Sequence, residues 1–275
     1  FIVSKNFPPD FFKRSQPVAV VSGGASFIGS HICKALLAKG VKVICVDNWQ
    51  TGVKENLSDL GGDNNFFLLE QDVSSPLLNI PKLRYVLHFA GIEACLNNEN
   101  ISMEDVEASS HATRNLLDLA VEKNSRFLLA SILRECQNKN FSEGLAKEYS
   151  QGKRLDVRIV RLGDVYGPKI MLVSKNPIAK LLKQEVYKEP LKISESTQLE
   201  IFPIYIDDVV AGVEKALFSS KPKDVVITLA GPKTSLFTFG QNLQEPGIAK
   251  TLEWLGKHKE RLLRQACIRT ITKRE

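Results

Sequence analysis

Two glycines and one aspartate near the start of the chain have the spacing of residues that bind a phosphate and a ribose. Gly23 and Gly29 lie in a turn after an apolar run that begins at Val18, and Asp47 ends the next apolar run. Glycines let the backbone approach a diphosphate closely, and the start of a helix offers it free N–H groups. Asp47 lies 18 residues after Gly29, near the roughly 20-residue offset of a carboxylate that accepts from a ribose hydroxyl. These residues therefore predict a dinucleotide site.

The segment between the two apolar runs carries a helical pattern, which completes one strand–helix–strand unit. Ile28, Ile32 and Leu36 recur at helical spacing, and Gly40 ends the pattern. Glycines in this setting indicate a dinucleotide site far more specifically than glycines alone. One position departs from the pattern, because Ser26 stands where the middle glycine is expected and its side chain would crowd a phosphate.

The acid at the end of the second predicted strand favours NAD over NADP as the dinucleotide. A carboxylate at Asp47 suits a free ribose hydroxyl, whereas a 2′-phosphate calls for a basic residue nearby. Lys42 and Lys54 are close in sequence, so the prediction of NAD depends on Asp47.

Strand patterns alternate with helical patterns over the first two thirds of the chain. Such alternation predicts an α/β fold, a Rossmann doubly wound parallel sheet with helices on both faces. The predicted strands are the run from 18, then 41–47, 66–70, 84–88, 126–131 and 157–160, with helices at 103–123 and 137–152. Ligands of such sheets bind beyond the carboxyl ends of the strands, where the strand order switches.

After Pro168 the alternation weakens, which predicts a smaller C-terminal lobe that binds the substrate. We expect a leader at 1–16, a nucleotide-binding domain at 17–165 and the lobe at 166–275. Within the lobe the pattern predicts helices near 176–184, 207–218 and 248–265 and a strand at 225–229.

The overall composition is that of a soluble globular protein. Of 275 residues, 43% are hydrophobic and 25% are charged, and no apolar run is long enough to cross a bilayer. Five cysteines without paired spacing and the absence of a signal-peptide pattern predict reduced thiols and a cytoplasmic location. Although the net charge is +6, the sequence carries no motif of nucleic-acid binding, so we expect no nucleic-acid partner. We also expect no membrane partner and no metal site.

Several further segments are similar to one family of enzymes. Residues 22–31 read Ser-Gly-Gly-Ala-Ser-Phe-Ile-Gly-Ser-His, residues 165–168 read Val-Tyr-Gly-Pro, and residues 205–210 read Tyr-Ile-Asp-Asp-Val-Val. With these segments the chain resembles the extended short-chain dehydrogenase/reductase family, in its branch of nucleotide-sugar epimerases, dehydratases and decarboxylases. The segments 47–57 and 72–78 look most like UDP-glucuronate decarboxylases.

The resemblance implies NAD as cofactor, a nucleotide-sugar as substrate and a homodimer formed through the helices 103–123 and 137–152. Asp72 and Val73 would flank the adenine, and the segment 89–91 would line the nicotinamide side. The full set of implied cofactor contacts is Gly23, Ser26, Phe27, Ile28, Gly29, Asp47, Asn48, Asp72, Val73, Phe89, Ala90, Gly91 and Lys139.

The catalytic residues that the resemblance implies are only partly present. The family removes a hydride from a sugar with a tyrosine as base, and a lysine four residues later lowers the pKa of that tyrosine. Lys139 fits the lysine because it precedes Leu155 by 16 residues, but the position of the tyrosine holds Glu135. Ser131 is the nearest hydroxyl to that of the family, which would fall at Ile132. Lys139 and Ser131 are therefore the catalytic candidates.

A second tyrosine–lysine pair has the right letter spacing in the wrong place. Tyr149 and Lys153 are four residues apart, but they lie too close to the predicted strand at 157–160 to reach a nicotinamide. We therefore exclude this pair from the predicted site.

Two explanations of the missing tyrosine lead to different functions. If a stretch of sequence is missing near 135–136, where the family has a mobile loop, the protein is an NAD-dependent 4-epimerase or decarboxylase, which we favour. If an ordinary peptide joins these residues, with Cα atoms about 3.8 Å apart, the protein is a degenerate nucleotide-binding protein. A redox-sensing regulator of the NmrA-like type is a third candidate, and fold alone does not choose among them.

Overall fold

A computed structural model describes residues 7–8, 10–13, 15–77, 80–92, 103–134, 136–172, 176–190, 199–220, 224–259 and 262. The chain forms two compact units. The first comprises Phe1–Leu162 and Val210–Leu229, and the second comprises Gly163–Val209 and Ala230–Glu275. The predicted position of the missing tyrosine, residue 135, lies outside the described residues.

Seven parallel strands form the sheet of the first unit in the part of the chain that is described. They are β1 Val18–Ser22, β2 Lys42–Asp47, β3 Phe66–Glu70, β4 Tyr85–His88, β5 Arg126–Ile132, β6 Val157–Leu162 and β10 Val226–Leu229. Their order across the sheet is β3-β2-β1-β4-β5-β6-β10. All five residues of β1 are buried, as expected of a strand covered on both faces. The predicted Rossmann fold is thus confirmed.

Helices connect these strands in the first unit. They are α1 Phe27–Ala38, a 3-10 helix Lys54–Leu60, α2 Met103–Glu122, α3 Gln137–Gly152 and α5 Ile206–Phe218, of which α5 begins in the second unit. The helical spacing read from the sequence places Ile28, Ile32 and Leu36 of α1 on the buried face. The helix α2 buries Leu116 and Leu117 in the same way.

The strand order reverses at β1, and this reversal creates the ligand crevice. The chain passes from β1 to β2 and β3 on one side, and then returns to place β4 on the other side of β1. The segments that leave β1 and β4 therefore diverge at the carboxyl edge of the sheet, where doubly wound folds bind their ligands.

The second unit is built from short strands and three helices among its described residues. Its strands are β7 Asp164–Tyr166, β8 Glu200–Ile201, β9 Pro203–Tyr205 and β11 Thr234–Ser235, and its own helices are α4 Pro177–Tyr187, α6 Leu236–Gln241 and α7 Pro246–Lys257. The strands β7 and β9 pair in parallel, and β8 and β11 pair in antiparallel fashion. The Asp164 carboxylate accepts from the backbone N–H of Phe202 at 2.8 Å and joins the start of β7 to β9.

One part of the predicted lobe belongs elsewhere. The sequence analysis assigned the helix 207–218 and the strand 225–229 to the C-terminal lobe, but most of α5 and all of β10 lie in the first unit. Val226 to Leu229 pair with Ile159 to Leu162 and extend the main sheet. Local periodicity predicts a strand but does not say which sheet it joins, so the sequence assignment of these elements was wrong.

Part of the predicted leader packs on the core rather than lying loose. Phe11 is buried, and the Phe7 ring lies 4.6 Å from that of Phe67, centroid to centroid. The buried Lys42 amine donates to the Phe11 carbonyl and lies over the Phe11 ring. These contacts fix the segment at the amino edge of the sheet, opposite the ligand crevice.

The cysteines are only partly in the state predicted. Cys33 and Cys45 are free and buried, but Cys136 is disulfide-bonded, so reduced thiols were the wrong prediction for this residue.

Within the described residues, no helix is both long and apolar enough to span a membrane.

Candidate functional site

The glycine turn after β1 brings the backbone into close contact with the segment after β4. Gly23 has a φ of +70°, and a Cβ atom built on it would lie 2.6 Å from the backbone nitrogen of Ala90. A Cβ on Gly29 would lie 2.1 Å from the carbonyl oxygen of Gly23. Both positions therefore require glycine, as the dinucleotide motif predicts.

Ser26, the departure from the glycine pattern, begins the helix that leaves the turn. Its hydroxyl accepts from the backbone N–H of Gly29 at 3.1 Å and caps α1. Such a cap satisfies one N–H that the first helical turn leaves free. The side chain of Ser26 therefore has a structural role, the helix cap, which the sequence analysis missed. Ser26 also lines the cavity at the carboxyl edge of the sheet.

The carboxylate of Asp47, which lines the cavity, is held by two backbone N–H groups. One oxygen accepts from the N–H of Ala25 at 2.9 Å, and the other accepts from the N–H of Trp49 at 3.0 Å. Burial raises the pKa of Asp47, and these two hydrogen bonds oppose that shift. Each carboxylate oxygen has a second lone pair, so the group can also accept from a ribose hydroxyl.

Asp72 is held in a similar way after β3. Its carboxylate accepts from the side-chain amide of Asn48 at 2.8 Å and from the N–H of Ser74 at 2.7 Å. Although burial alone would raise the pKa of Asp72, these hydrogen bonds hold it below its ordinary value. The amide of Asn115 on α2 donates to the carbonyls of Val73 and Ser74 at 3.1 and 2.7 Å. Sequence reasoning missed Asn115, which had no signal beyond its helical position.

Lys139 lies behind the segment that follows β4. Its amine donates to the carbonyl oxygen of Ala90 at 2.8 Å, and the side chain is 1% exposed. Burial lowers the pKa of Lys139 to about 8. A Cβ atom on Gly91, whose φ is +81°, would lie 3.6 Å from the same amine. The predicted lysine therefore meets the predicted nicotinamide-side loop.

Ser131 points to a different environment. It is 1% exposed and lies beside Glu143, and it is not among the residues that line the cavity. Glu143 accepts from Arg161 in a bidentate ion pair with distances of 2.8 and 2.6 Å. Although burial alone would raise the pKa of Glu143, the hydrogen bonds from Arg161 hold it below its ordinary value. Neither catalytic candidate, Ser131 or Lys139, is thus among the residues that line the cavity.

The excluded tyrosine is engaged on the helix surface. The hydroxyl of Tyr149 donates to the carboxylate of Asp118 on α2 at 2.6 Å. Tyr149 does not line the cavity.

Ten of the predicted cofactor contacts line one cavity at the carboxyl edge of the sheet: Gly23, Ser26, Ile28, Asp47, Asn48, Asp72, Val73, Phe89, Ala90 and Gly91. The other three do not line it, since Phe27 and Gly29 lie within α1 and Lys139 lies behind Ala90. Sequence reasoning missed ten residues that line the same cavity: Val46, Gln50, Thr51, Gln71, His88, Ile92, Asp105, Ala108, Ser109 and Ala112.

His88 is the missed residue with the clearest chemical character. It ends β4, is 1% exposed, and contacts Ser22 and Thr113 through its two ring nitrogens. Burial and the charge of Lys139 lower its pKa well below the ordinary value. A histidine inside an apolar strand was the available signal.

Among the described residues, no group of three or more metal-ligating side chains comes together.

The chain is similar in sequence to known nucleotide-sugar enzymes. Residues 19–131 match the NAD dependent epimerase/dehydratase family. The chain is 28% identical over 232 residues to UDP-glucuronic acid decarboxylase 4 of Arabidopsis thaliana, covering 74% of this chain and 52% of that one. It is 25% identical over 238 residues to UDP-glucuronic acid decarboxylase 1 of Xenopus tropicalis, covering 76% and 56%. The chain thus spans about half the length of these curated relatives.

Solved structures share the fold. The enzyme WbmF of Bordetella bronchiseptica, solved in complex with NAD+, is 19% identical with a TM-score of 0.78, over 92% of this chain and 97% of that one. The UDP-glucose 4-epimerase of Thermotoga maritima, solved with UDP-glucose, is 21% identical with a TM-score of 0.71, over 83% and 82%. The resemblance read from the sequence is confirmed by the match of residues 19–131 to the NAD dependent epimerase/dehydratase family, and the solved structures confirm the fold.

Proposed function

We propose that this protein is an NAD-dependent enzyme that modifies a nucleotide-sugar by transient removal of a hydride from the sugar, as a 4-epimerase or a UDP-glucuronate decarboxylase. One observation carries the proposal: the glycine turn, Asp47, Asp72 and the loop after His88 line a single cavity where the strand order reverses. The family match and the names of the relatives support the same reaction class.

The residues present fit a dinucleotide. Gly23 and Ser26 line the cavity at the start of α1, where the backbone N–H groups of the helix would meet a pyrophosphate. Asp47 would hold the adenine ribose, Asp72 and Val73 would flank the adenine, and the loop 89–91 would contact the nicotinamide side. When bound, NAD supplies the acceptor for the hydride.

Lys139 is the residue to which we assign the proton chemistry. Near neutral pH, a pKa of about 8 leaves part of the amine uncharged, and an uncharged amine can accept a proton. The hydrogen bond to Ala90 holds the amine behind the loop that lines the cavity. A catalytic role for Ser131 stays a prediction, since this residue faces Glu143.

A specific observation supports the second candidate, a degenerate NAD- or nucleotide-sugar-binding protein. The sequence has Glu135 where the resemblance calls for the tyrosine, and Ile132 where it calls for a hydroxyl. Residue 135 lies outside the described residues, so the prediction of a missing stretch stays a prediction. Such a protein would bind NADH and would not turn over any sugar.

Two measurements on the purified chain separate the candidates. NADH titration by protein-to-nucleotide fluorescence transfer tests binding, and product analysis with carboxyl-labelled UDP-glucuronate and with UDP-glucose tests turnover. Lys139→Met should abolish turnover, while Lys147→Met, a change on the exposed face of the same helix, should preserve it. Binding without turnover supports the degenerate protein, and no NADH binding at all contradicts the enzyme and a degenerate NAD-binding protein.

We also propose a homodimer that pairs α2 and α3 with their copies. The exposed side chain of Phe141 on α3 supports this interface. Light scattering behind size exclusion should report a dimer for the native chain and a monomer for Phe141→Glu. A native monomer would contradict the proposal.

A further inference from the structure

The hydroxyl of Thr113, buried on α2, is the meeting point of three hydrogen bonds. It lies 2.9 Å from the carbonyl oxygen of Ser109, 2.9 Å from the Ser142 hydroxyl and 3.3 Å from Nε2 of His88. A carbonyl only accepts, so the single hydroxyl hydrogen of Thr113 goes to Ser109. Ser142 and His88 must therefore both donate to Thr113.

This arrangement fixes the proton of His88. Because Nε2 donates to Thr113, the neutral ring carries its hydrogen there, and Nδ1 accepts from the hydroxyl of Ser22 at 2.7 Å. The ring is buried, and its pKa is held well below the ordinary value by burial and by the charge of Lys139. Every polar atom of His88 thus has one assigned role.

The same network holds both ends of the hydrogen bond between Lys139 and Ala90. Ala90, the acceptor, lies in the loop after β4, two residues after His88. Lys139, the donor, precedes Ser142 by three residues, less than one turn of α3. Thr113 accepts from His88 on one side and from Ser142 on the other, so a single hydroxyl ties the acceptor segment and the donor helix to α2.

We propose that Thr113, through His88 and Ser142, is a positioning residue that holds the Lys139 amine against the Ala90 carbonyl, behind the loop that lines the cavity. This inference rests on the proposed function, which gives Lys139 its chemical role. Thr113 itself does not line the cavity and acts through these neighbours.

The first test measures the position of the amine without any cofactor. Purified variants are labelled with an amine-acylating reagent, and labelling rates are read by mass spectrometry for Lys139 and for Lys42, a second buried lysine at the opposite edge of the sheet. Thr113→Val should speed labelling of Lys139 about fivefold, as expected of one lost buried acceptor, and leave Lys42 unchanged. Thr113→Ser, which restores the hydroxyl, should label at the native rate.

Control variants give the result that would overturn the proposal. Ser110→Ala removes a neighbouring α2 hydroxyl that donates to the Val106 carbonyl and lies outside the network, and it should change neither rate. If Thr113→Val leaves Lys139 protected, or exposes Lys42 equally, Thr113 does not position the amine.

The second test is a double-mutant cycle on NADH affinity. Thr113→Val should weaken NADH binding about fivefold in the native background and by less than about twofold in the Lys139→Met background, because the effect passes through the amine. Equal losses in both backgrounds would show a purely structural role and overturn the inference. A native protein that binds no NADH would overturn the proposed function instead, and the labelling rates would still decide the role of Thr113.

Discussion

The two halves of the cavity are built on different physical principles. In the half at β1 to β3, backbone N–H groups hold the carboxylates of Asp47 and Asp72. In the half at β4, the loop after the strand lines the cavity, and the Lys139 amine is buried behind that loop with a hydrogen bond to Ala90. Hydrogen bonds to the carboxylate outweigh burial at Asp72 and oppose it at Asp47, whose pKa stays raised, whereas burial alone accounts for the lowered pKa of Lys139.

This difference indicates that the dinucleotide half is preorganised and that the lysine half is under electrostatic strain. Residues that match the family closely fill the first half. The departures from the family pattern, Glu135 and Ile132, lie in the sequence just before Lys139, and Ser131 and Ile132 do not line the cavity. The cofactor-binding function is therefore expected to be more robust than the catalytic one.

The largest expected effect tests the dinucleotide half. Gly29→Ala would place a Cβ atom 2.1 Å from the Gly23 carbonyl oxygen, so the turn must shift. We expect NADH affinity to fall about 100-fold, the cost of overpacking a rigid turn. Fluorescence titration measures the affinity, and circular dichroism checks the fold.

A matched glycine change provides the control. Gly144 on α3 has open space around its Cβ position, so Gly144→Ala should preserve NADH affinity and raise stability by up to about 1 kcal/mol. Equal effects of the two substitutions would mean that the glycine turn is not where the cofactor binds.

The next effect tests the strain in the lysine half. Lys139→Met should raise the unfolding free energy by about 2 kcal/mol at pH 7, since it removes a charge-burial cost of about 3 kcal/mol and a hydrogen bond of about 1 kcal/mol. The folded pKa of about 8 lies below the ordinary value of 10.5, so in this window the unfolded chain binds more protons. Native stability should therefore rise with pH relative to the variant.

Urea denaturation of both proteins from pH 7 to pH 10.5 measures this difference. The gain in stability of Lys139→Met should shrink as the pH rises from about 8 to 10.5. Over this range the Lys139 amine of the unsubstituted protein loses its charge first in the folded state and then in the unfolded state. A difference that does not depend on pH would mean that the amine is not strained.

The ratio of NADH to NADPH affinity, expected to be about ten, tests the dinucleotide half of the cavity. The Asp47 carboxylate opposes a 2′-phosphate, so NADH should bind about ten times more tightly than NADPH. Lys42→Met should not change this ratio, because the Lys42 amine donates to Phe11 at the other edge of the sheet. Equal affinities for the two nucleotides would place the ribose away from Asp47.

The smallest effect concerns the ion pair beside Ser131. Glu143→Gln should lower stability by about 1 kcal/mol at pH 7, a modest loss because the Arg161 side chain is 38% exposed. The folded pKa of Glu143 is below its ordinary value of 4.5, so this contribution is present above that pH and is lost as the pH falls below it. Thermal denaturation at pH 7 and in acid should show a difference that disappears in acid; one that persists would assign the loss to packing.

Sequence reasoning predicted the fold of the first unit well because its signals are local. Apolar runs, the glycine turn and the residue that ends each run located β1, β2, β3 and the cavity they border. The strand β10 was placed in the wrong unit, because its pairing with β6 depends on a distant segment.

The site was predicted where residues act through their backbone position and missed where they act through neighbours. Asp47 and Asp72 end or follow strands, so the fold alone brings them to the cavity. Asn115 and Thr113 lie on a helix face whose partners belong to other elements, and no spacing in the sequence marks them.

The sequence by itself determined the alternation of strands and helices, the positions that must be glycine and the acid at the end of β2. These properties follow from periodicity and from backbone sterics, which act between near neighbours. Only the tertiary structure decided the burial of Lys139, the hydrogen-bond partners of His88 and the contact of Ser131 with Glu143. Each of these depends on desolvation and on hydrogen bonds between segments far apart in the chain, which exist only after the sheet and its helices have packed.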